Sequence, residues 1–500
     1  MIGAVSHEMR NPLNGILGMA HLLGETKLDA SQRNYLDGIA TSGDVLLTLV
    51  NDLLDLTALQ AGAVSINPAP TDIVQLINQC LELAAPRAHA KGLALGSTVD
   101  PQLGGTGSKP LLMDIDGARL RQVLTNLLSN AIKFTQTGGV RLVARIVQNQ
   151  STATLHIEVE DTGYGIAPSE QTMVFQPFGR ARSALATGSE GTGLGLPLSR
   201  GLAHALGGDL HLLASSLGKG TTMRLVLPLT EGIWNKANAH PLPLTGQRIL
   251  LALGPNIAAT PEADALSETL TALGASTHLV SDAQDLSSPP EDVDHVLVDA
   301  RFDHAMLWSR LCLPSVGIRP VILVRPDHRH VLPELQEAGF SGYLIRPVRQ
   351  SSLIAMLTHR FDGAASTDFL PDPADQPTPS ITRAPKRVLL ADDNAVNALL
   401  AKTALVKAGH TVCVASDGAH AVELAKAENF DAALLDLSMP VLDGFEASKA
   451  LRNMGFTGQL IAYSGSTDPA LDEKIKLAGF DSFAQKPVSP DALQALIEQD

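Results

Sequence analysis

Near the beginning of the sequence, a histidine lies among residues that could activate its imidazole as a nucleophile. Glu8 directly follows His7, and Asn11 comes one helical turn later on the same face of a predicted helix. The Glu8 carboxylate could accept a proton from the imidazole, and the Asn11 amide could orient a water molecule. A single histidine on a helix is usually structural or solvated, so this interpretation depends on the motifs that follow.

A second polar stripe lies on a predicted helix whose opposite side is apolar. Asn126, Asn130 and Lys133 recur at i, i+4 and i+7, a spacing that places them on one face. Two amides and an ammonium on one face suit Mg²⁺ and phosphate oxygens. Without further motifs, a solvated polar face would be the favoured interpretation of this stripe.

The first of two glycine-rich motifs follows an apolar strand. Asp161 ends that strand, and Gly163 and Gly165 come shortly after it. A carboxylate at the end of a strand could accept a hydrogen bond from an exocyclic amine, and the glycines let the backbone approach a flat base. The motif therefore has the chemistry of a purine site.

The second glycine-rich motif, which consists of Gly191, Gly193 and Gly195, opens a predicted helix. The N-terminus of a helix that follows glycines can bind phosphate. Either glycine motif alone is a weak signal, because turns also use glycine. Their order along the chain makes the set specific, since the asparagine helix lies upstream and Phe175 and Phe178 lie between them.

In the last part of the chain, polar side chains follow the ends of predicted strands, in the order Asp392, Asp393, Asp436, Ser464 and Lys486. The carboxyl ends of parallel strands meet at one edge of a sheet, so we expect these residues to lie together. Three carboxylates repel one another unless a divalent cation lies among them, which predicts Mg²⁺ bound by Asp392, Asp393 and Asp436. A phosphoryl group would then lie against Asp436, with Lys486 neutralising the added charge. A surface acidic cluster is the alternative.

Residues 247–361 repeat the pattern of residues 387–500 without its acidic pair. Leu253 and Gly254 stand where the pair would be, whereas Asp299 keeps the acceptor position. Mg²⁺ would have one protein ligand left there, so we expect phosphorylation of Asp299 to be poor. The simplest interpretation is a decayed duplicate that serves as a spacer.

A strip of side chains gives this earlier repeat a candidate ligand site. In an extended strand Tyr343, Ile345, Pro347 and Arg349 point to one side, and Arg329 lies on the neighbouring loop. Such a strip could stack a purine and hold a phosphate or a guanine edge. A negatively charged cyclic dinucleotide fits this chemistry, and a protein-docking module without a ligand is the other interpretation.

These motifs lie on elements that separate into domains along the chain. Residues 1–66 are predicted to form a helical hairpin, whose wide apolar stripes favour a four-helix bundle in a homodimer. Residues 67–230 mix helices and strands as in an α+β domain. Residues 247–361 and 387–500 alternate short buried strands with helices, which indicates two doubly wound parallel sheets, and the proline-rich residues 362–386 are predicted to be a linker.

The composition excludes several classes of protein. The chain of 500 residues has 37 Lys and Arg against 52 Asp and Glu, a net charge of −15, and no basic tract. Direct DNA binding is therefore not expected. The three cysteines lie far apart, which excludes a disulfide scaffold and fits a reducing cytoplasm. We predict no membrane span, because no run of 18 apolar residues exists.

In this order, the motifs of residues 1–230 resemble the H, N, G1, F and G2 boxes of sensor histidine kinases. The resemblance implies a dimerisation and phosphoacceptor hairpin with His7 as the phosphoacceptor. Glu8 would be its general base, and Asn11 would position water for a phosphatase activity. Only six residues precede His7, which predicts either a shortened N-terminus or a kinase without an attached sensor.

For residues 67–230 the same resemblance implies a Bergerat ATP-binding domain. Asn126 and Asn130 would hold Mg²⁺, Lys133 would meet phosphates, and Asp161 would read adenine. The glycines of the two motifs would line the nucleotide. Residues 168–192 would form the mobile lid.

The two doubly wound domains resemble flavodoxin-like receiver domains of response regulators. The last is complete in its key residues, with Phe483 as the switch aromatic. The earlier one is similar to the pseudo-receiver of soluble hybrid kinases that bind cyclic di-GMP, which implies contacts from the strip residues Arg329, Tyr343, Ile345, Pro347 and Arg349.

A kinase joined to a receiver resembles a hybrid histidine kinase. This implies transfer from ATP to His7, then to Asp436, then to a separate histidine phosphotransfer protein. A net phosphatase of the relay and a non-enzymatic scaffold are the alternatives.

Overall fold

A computed structural model describes most of the chain. The described residues are 13, 15–20, 23–24, 26, 28–62, 64–104, 111–149, 152–179, 192–229, 242–253, 260–281, 293–300, 320–359, 369–375, 386–394, 398, 401–403, 405–406, 409–464, 474–475, 477–485 and 496–497. His7, Glu8, Asn11, Gly191 and Lys486 lie outside them. The chain forms two compact units, one of residues 55–378 and one of residues 1–54 with 379–500.

The second predicted helix of the N-terminal hairpin is α1, Ala30–Gln60. Asp29 precedes it in a capping box, because its carboxylate accepts from Gln32 N at 2.8 Å while Gln32 Oε1 accepts from Asp29 N at 3.0 Å. Tyr35 and Ile39 are exposed in the single chain. Among the helices that the structure describes, α1 included, none has the length and apolar character needed to cross a bilayer.

Residues 67–230 fold into a five-stranded sheet covered by helices, with strand order β2-β4-β5-β7-β6. β2 and β4 are parallel, and the other neighbours are antiparallel. A two-stranded pair, β1 and β3, lies beside it. The elements are β1 Ala69–Asp72, α2 Ile73–Ala90, β2 Ala94–Val99, β3 Leu112–Ile115, α3 Gly117–Phe134, β4 Gly139–Asn149, β5 Thr152–Asp161, α4 Gly195–Ala205, β6 Asp209–Ser216 and β7 Gly220–Leu229.

The helix α3 carries the predicted asparagine stripe. It begins after Asp116, whose carboxylate accepts from Ala118 N and Arg119 N at 3.1 Å. Its apolar side is buried in the domain core, and this side comprises Leu120, Val123, Leu124, Leu127, Leu128 and Ile132. The stripe on the other side is therefore held at a fixed rotation towards the two glycine-rich motifs.

The two later domains are parallel sheets of the same topology, with strand orders β12-β11-β10-β8-β9 and β14-β13-β15-β16-β17. Both are the 2-1-3-4-5 order of flavodoxin-like folds, so the predicted fold classes are confirmed. The elements of the first are β8 Arg248–Ala252, α5 Pro261–Ala272, β9 Ser276–Val280, β10 His295–Asp299, β11 Pro320–Val324, α6 Leu332–Glu337, β12 Gly342–Ile345 and α7 Gln350–Thr358. Those of the second are β13 Arg387–Ala391, β14 Thr411–Ala415, α8 Gly418–Ala427, β15 Ala432–Asp436, α9 Gly444–Asn453, β16 Gln459–Ser464 and β17 Ser482–Gln485.

Part of the predicted linker is folded onto the earlier sheet. Leu370 accepts from Tyr343 N at 3.1 Å and donates its own N–H to Ser341 O at 2.8 Å. Residues 369–375 thereby pair with the edge strand β12, whose outer backbone groups need partners. Part of the predicted linker is thus paired with a sheet edge, and composition does not reveal which edge a segment can pair with.

The helix α5 of the earlier receiver-like domain packs on β2 and β4 of the preceding domain. Thr98 Oγ1 donates to Ala265 O at 3.2 Å, and Arg141 pairs with Glu268 at 2.9 Å. A side chain at Gly96 would place its Cβ 3.0 Å from Glu262 Cα. Glycine at this position therefore lets the helix lie directly on the strand.

Candidate functional site

The first site is built around Asp161, the last residue of β5. Its Oδ1 accepts from Gly163 N at 2.8 Å and from Thr221 N at 3.2 Å. Burial raises the pKa of this carboxyl to about 6, although both backbone hydrogen bonds act to lower it. Because Oδ1 is occupied by two backbone donors, Oδ2 is the oxygen suited to a ligand.

The Asp161 loop is packed against the end of α3. A Cβ at Gly163 would lie 2.4 Å from Phe134 O and 2.8 Å from Asp161 Oδ1, so the loop cannot hold a larger residue there. Tyr164 N also donates to Phe134 O at 3.3 Å. The structure thus joins the first glycine motif to the helix that carries the asparagine stripe.

The asparagine stripe connects α3 with α4. Asn126 Nδ2 donates to Ser199 Oγ at 2.7 Å, and Asn130 Nδ2 donates to Asn126 Oδ1 at 3.3 Å. A Cβ at Gly195 would lie 2.5 Å from Asn126 Oδ1. Asn126 therefore positions Asn130 and the beginning of α4, while Oδ1 of Asn130 is an amide oxygen of the kind that holds Mg²⁺. Lys133 Nζ lies 5.3 Å from the Phe134 ring centroid.

The predicted lid is described only in part. Phe175 packs against the domain core, with the Arg200 guanidinium 5.2 Å from its ring centroid. Phe178 is exposed, has a φ of +62°, and its N–H donates to Gly193 O at 2.9 Å. Gly193 itself has a φ of +69°, which favours glycine. Gly165 also has a φ of +69°.

The second site is the acidic edge of the last sheet. Carboxylate oxygens of Asp392, Asp393 and Asp436 lie within 4.8 Å of one another. Asp392 and Asp436 are buried, and Asp436 Oδ1 accepts from Ser438 N at 3.2 Å. Ser464, also buried, ends the adjacent strand β16. Three hard oxygen donors around one point fit Mg²⁺, which would supply charge neutralisation to a phosphoryl group at Asp436.

An aromatic hydroxyl lies beside this acidic site. Burial raises the pKa of Tyr463, and the charges of Asp392 and Asp436 raise it further. The phenol therefore stays protonated at neutral pH. Phe483 of β17 is half-buried against the domain core.

The corresponding position of the earlier receiver-like domain is filled by an arginine. Arg346 pairs with Asp299 and, at 2.9 Å, with Glu262 of α5. The side chains of Arg346 and Asp299 are only 4% and 1% exposed. The guanidinium therefore neutralises the acceptor carboxylate within a buried pair.

We expect Asp299 to accept no phosphoryl group, because Arg346 occupies its carboxylate and no second acid of a metal pair stands at Leu253 or Gly254. In an Asp436→Asn chain incubated with labelled ATP and Mg²⁺, all label should be acid-labile phosphohistidine. Acid-stable, hydroxylamine-sensitive label that disappears on a further Asp299→Asn change would contradict this.

The predicted ligand strip is only partly open. Tyr343 stacks on Phe369, with ring centroids 5.6 Å apart, and its hydroxyl donates to Asp375 Oδ2 at 2.7 Å. Arg329 is paired with Asp375 as well. Burial raises the Tyr343 pKa, and the hydrogen bond to Asp375 raises it further. The segment 369–375 thus covers the aromatic part of the strip.

The strip does not follow one strand along its whole length, as the predicted alternation of side chains requires. The strand β12 ends at Ile345, and Arg349 is the residue before α7. The prediction of one continuous strand from Tyr343 to Arg349 was therefore wrong. Arg329, Ile345, Pro347 and Arg349 nevertheless line one cleft of about 590 Å³.

Sequence reasoning missed two parts of this cleft. Asp372 and Asp375 come from the presumed linker, where two acids in a proline-rich stretch were the available signal. Pro86 and His89 come from α2 of the preceding domain, and no local motif marks them. Asp372 is buried and accepts from Ile345 N at 2.7 Å.

The folds and sites described here define a kinase core joined to receiver domains, and the chain belongs to the hybrid histidine kinases. A His Kinase A (phospho-acceptor) domain matches residues 1–62. A histidine kinase-, DNA gyrase B- and HSP90-like ATPase domain matches residues 115–231, and a response regulator receiver domain matches residues 388–498.

Three similar proteins match this chain over almost its whole length. A crystal structure of full-length ShkA in complex with AMPPNP is 36% identical, covers 99% of this chain and 97% of that chain, and gives a TM-score of 0.58. Sensor protein GacS of Pseudomonas syringae pv. syringae is 31% identical over 99% of this chain and 54% of GacS. BarA of Escherichia coli (strain K12) is 29% identical over 99% of this chain and 52% of BarA. The chain spans about half the length of these curated relatives.

Proposed function

We propose that this chain is a protein-histidine kinase that passes phosphoryl groups through a phosphorelay. One observation carries the proposal: the same chain holds the buried Asp161 carboxyl within a glycine-rich loop and a three-carboxylate site around Asp436. ATP would bind the first with Mg²⁺, and His7 would receive the γ-phosphoryl group. The complex of ShkA with AMPPNP supports binding of an adenine nucleotide by this chain.

In this proposal each site residue contributes positioning or charge. Asp161 Oδ2 accepts from the adenine amine, Asn130 holds Mg²⁺, and Lys133 meets phosphate oxygens, while the glycines of both motifs admit the nucleotide. The metal, when bound, neutralises charge on the transferring group.

At the phosphoacceptor, Glu8 takes the imidazole proton of His7. Asn11 orients the water that would hydrolyse phosphorylated Asp436 in the phosphatase reaction, with release of inorganic phosphate. In the receiver, Asp436 attacks the phosphoryl group of His7, with Ser464 and Lys486 contacting the new phosphoryl oxygens. Asp392 and Asp393 hold the metal ion.

The partners follow from the same roles. The exposed apolar residues of α1 support a homodimer in which two hairpins form a four-helix bundle. From Asp436 the group would pass to a histidine phosphotransfer protein.

We also propose that cyclic di-GMP regulates the kinase by binding the strip. Arg329, Tyr343 and the Ile345 amide are satisfied by the Asp372 and Asp375 carboxylates, which occupy the places that anionic ligand groups would take. The dinucleotide would bind better to the arrangement in which residues 369–375 have left the strip. Release of residues 369–375 from the strip would change the conformation of the linker between the two receiver-like domains.

The test is phosphorylation of the purified chain by labelled ATP with and without cyclic di-GMP. Label that increases with the dinucleotide and disappears in His7→Ala supports both kinase and regulation. Equal label under both conditions leaves the earlier receiver-like domain as a docking or spacer module. Absence of label and of ATP binding would favour a scaffold, and faster loss of label from Asp436 when His7 is intact would favour a net phosphatase.

Arg349→Ala should abolish the response to cyclic di-GMP, because it removes the guanidinium at the end of the strip that would hold a ligand phosphate in the cleft. The measurement is the labelling rate over a dinucleotide titration. Glu337→Gln, on the exposed side of α6, is the control with an altered charge outside the cleft. An unchanged dinucleotide response in Arg349→Ala would contradict the assignment of the strip.

A further inference from the structure

One wall of the strip's cleft belongs to the ATP-binding domain. Five residues of α2 line it: Glu82, Ala85, Pro86, His89 and Ala90. The first four recur at i, i+3, i+4 and i+7, so that they form one face of the helix. Ile345, Pro347 and Arg349 lie on the opposite side. A molecule bound in this cleft would therefore touch both domains.

The arginine at the end of the strip is already paired across the cleft. Arg349 Nε donates to Glu82 Oε1 at 2.6 Å, and its Nη2 contacts the same oxygen. The two side chains are 34% and 39% exposed, so solvent screens the pair and an anionic ligand can reach it. Glu82 is the single acidic residue of α2, all of whose residues the structure describes.

The helix α2 also leads directly to the nucleotide pocket. Arg121 of α3 donates to Gln79 Oε1 of α2 at 2.7 Å, and the buried faces of the two helices share one core. Asn130 lies on the same helix as Arg121. A change in what holds the C-terminal half of α2 therefore acts on an element packed against the metal-binding helix.

We propose that α2 forms the second wall of the regulatory dinucleotide site and that Glu82 competes with the ligand for Arg349. Resting on the proposed regulation, this inference adds a residue of the ATP-binding domain to its site. In the unliganded chain the Glu82 carboxylate neutralises Arg349, and a ligand phosphate must replace it. Binding would then exchange a contact between domains for a contact with the ligand.

The competition predicts the direction of a single substitution. Glu82→Gln keeps the shape of the side chain but removes the anion that the phosphate must displace, so we expect cyclic di-GMP to bind several-fold more tightly. Glu337→Gln makes the same change on the exposed side of α6, outside the cleft, and should bind as the unchanged chain does. Calorimetric titration of the full-length chains gives the three dissociation constants, and thermal unfolding shows that each variant is folded.

Each result decides the matter. Tighter binding by Glu82→Gln alone, or binding by this variant where the unchanged chain shows none, supports the competition. Equal affinities in all three chains would overturn it while leaving regulation at the strip intact. Weaker binding by Glu82→Gln would make Glu82 a ligand contact and overturn its role as a competitor. Absence of binding in every chain would overturn the dinucleotide proposal as well.

Discussion

A chain carrying Asp161→Asn should bind ATP about 10- to 150-fold more weakly and fold normally. The Gly163 and Thr221 N–H groups both require the oxygen at the Oδ1 position. An asparagine that satisfies them must direct its NH₂ group at the site of the adenine amine, so a donor meets a donor. Loss of a hydrogen bond to a charged group costs roughly 1.5–3 kcal/mol, and about 1.4 kcal/mol corresponds to a tenfold change in affinity.

Calorimetric ATP titrations of both chains measure this effect. The control is Glu337→Gln, which removes one charge on the exposed side of α6, outside the proposed nucleotide site. Binding of ATP by Asp161→Asn within threefold of the unchanged chain would show that Asp161 does not read the base.

The same carboxyl should make ATP binding depend on pH. Because burial raises its pKa to about 6, the unliganded chain protonates Asp161 as the pH falls through that value. A protonated carboxyl no longer offers an acceptor at Oδ2, so the affinity should fall below pH 6 and level off above pH 7. The pH step should be absent in Asp161→Asn, and its persistence there would assign it to another group.

The contribution of Asp161 to folding stability changes with pH in the opposite direction to the ATP affinity. The folded-state pKa lies above the usual carboxyl value of 3.8, so between these values the folded chain holds a proton that the unfolded chain has lost. The contribution of Asp161 to stability is therefore fully present below pH 3.8 and is lost as the pH rises through about 6. Denaturant unfolding of the unchanged chain and of Asp161→Asn at several pH values would isolate this contribution.

The second large effect concerns Asp436. An Asp436→Asn chain should transfer no label to its receiver, and the label should accumulate on His7, because an amide offers no nucleophilic carboxylate oxygen. Acid-stable label should fall by at least a hundredfold, whereas acid-labile label should remain. Equal amounts of acid-stable label in both chains would place the acceptor elsewhere.

The receiver also offers a readout that needs no phosphoryl transfer. With three carboxylates within 4.8 Å, removing one relieves repulsion, so Asp436→Asn should unfold at a higher temperature without a divalent ion. A relief of about 1 kcal/mol corresponds to several degrees for a domain of this size. Mg²⁺ should stabilise the unchanged chain more than the variant. The control Glu423→Gln, on the exposed side of α8, should change neither temperature nor its Mg²⁺ dependence.

Many structural features of this protein could be predicted from local spacing of residues in the sequence. Helical spacing placed Asn126, Asn130 and Lys133 on one face, and the buried apolar side of α3 confirms the rotation of that helix. The rule that parallel strands end at one edge predicts that Asp392, Asp393 and Asp436 lie together, and their carboxylate oxygens are within 4.8 Å of one another. These inferences succeed because backbone geometry dictates side-chain direction over a few residues, and strand order is restricted to few topologies.

Contacts between distant parts of the chain could not be predicted from helical spacing or strand topology. The sequence showed that Asp299 had lost its acidic partners, but the tertiary structure decided that Arg346 fills the gap and links it to Glu262. Likewise, composition marked residues 362–386 as a linker, whereas the pairing of Leu370 with β12 puts Asp375 on the strip. The sequence by itself determined the chemistry available at each strand end and helix face, because that depends on local periodicity. Which distant groups neutralise that chemistry was decided only by packing, because it depends on the surfaces that come together after each element has formed.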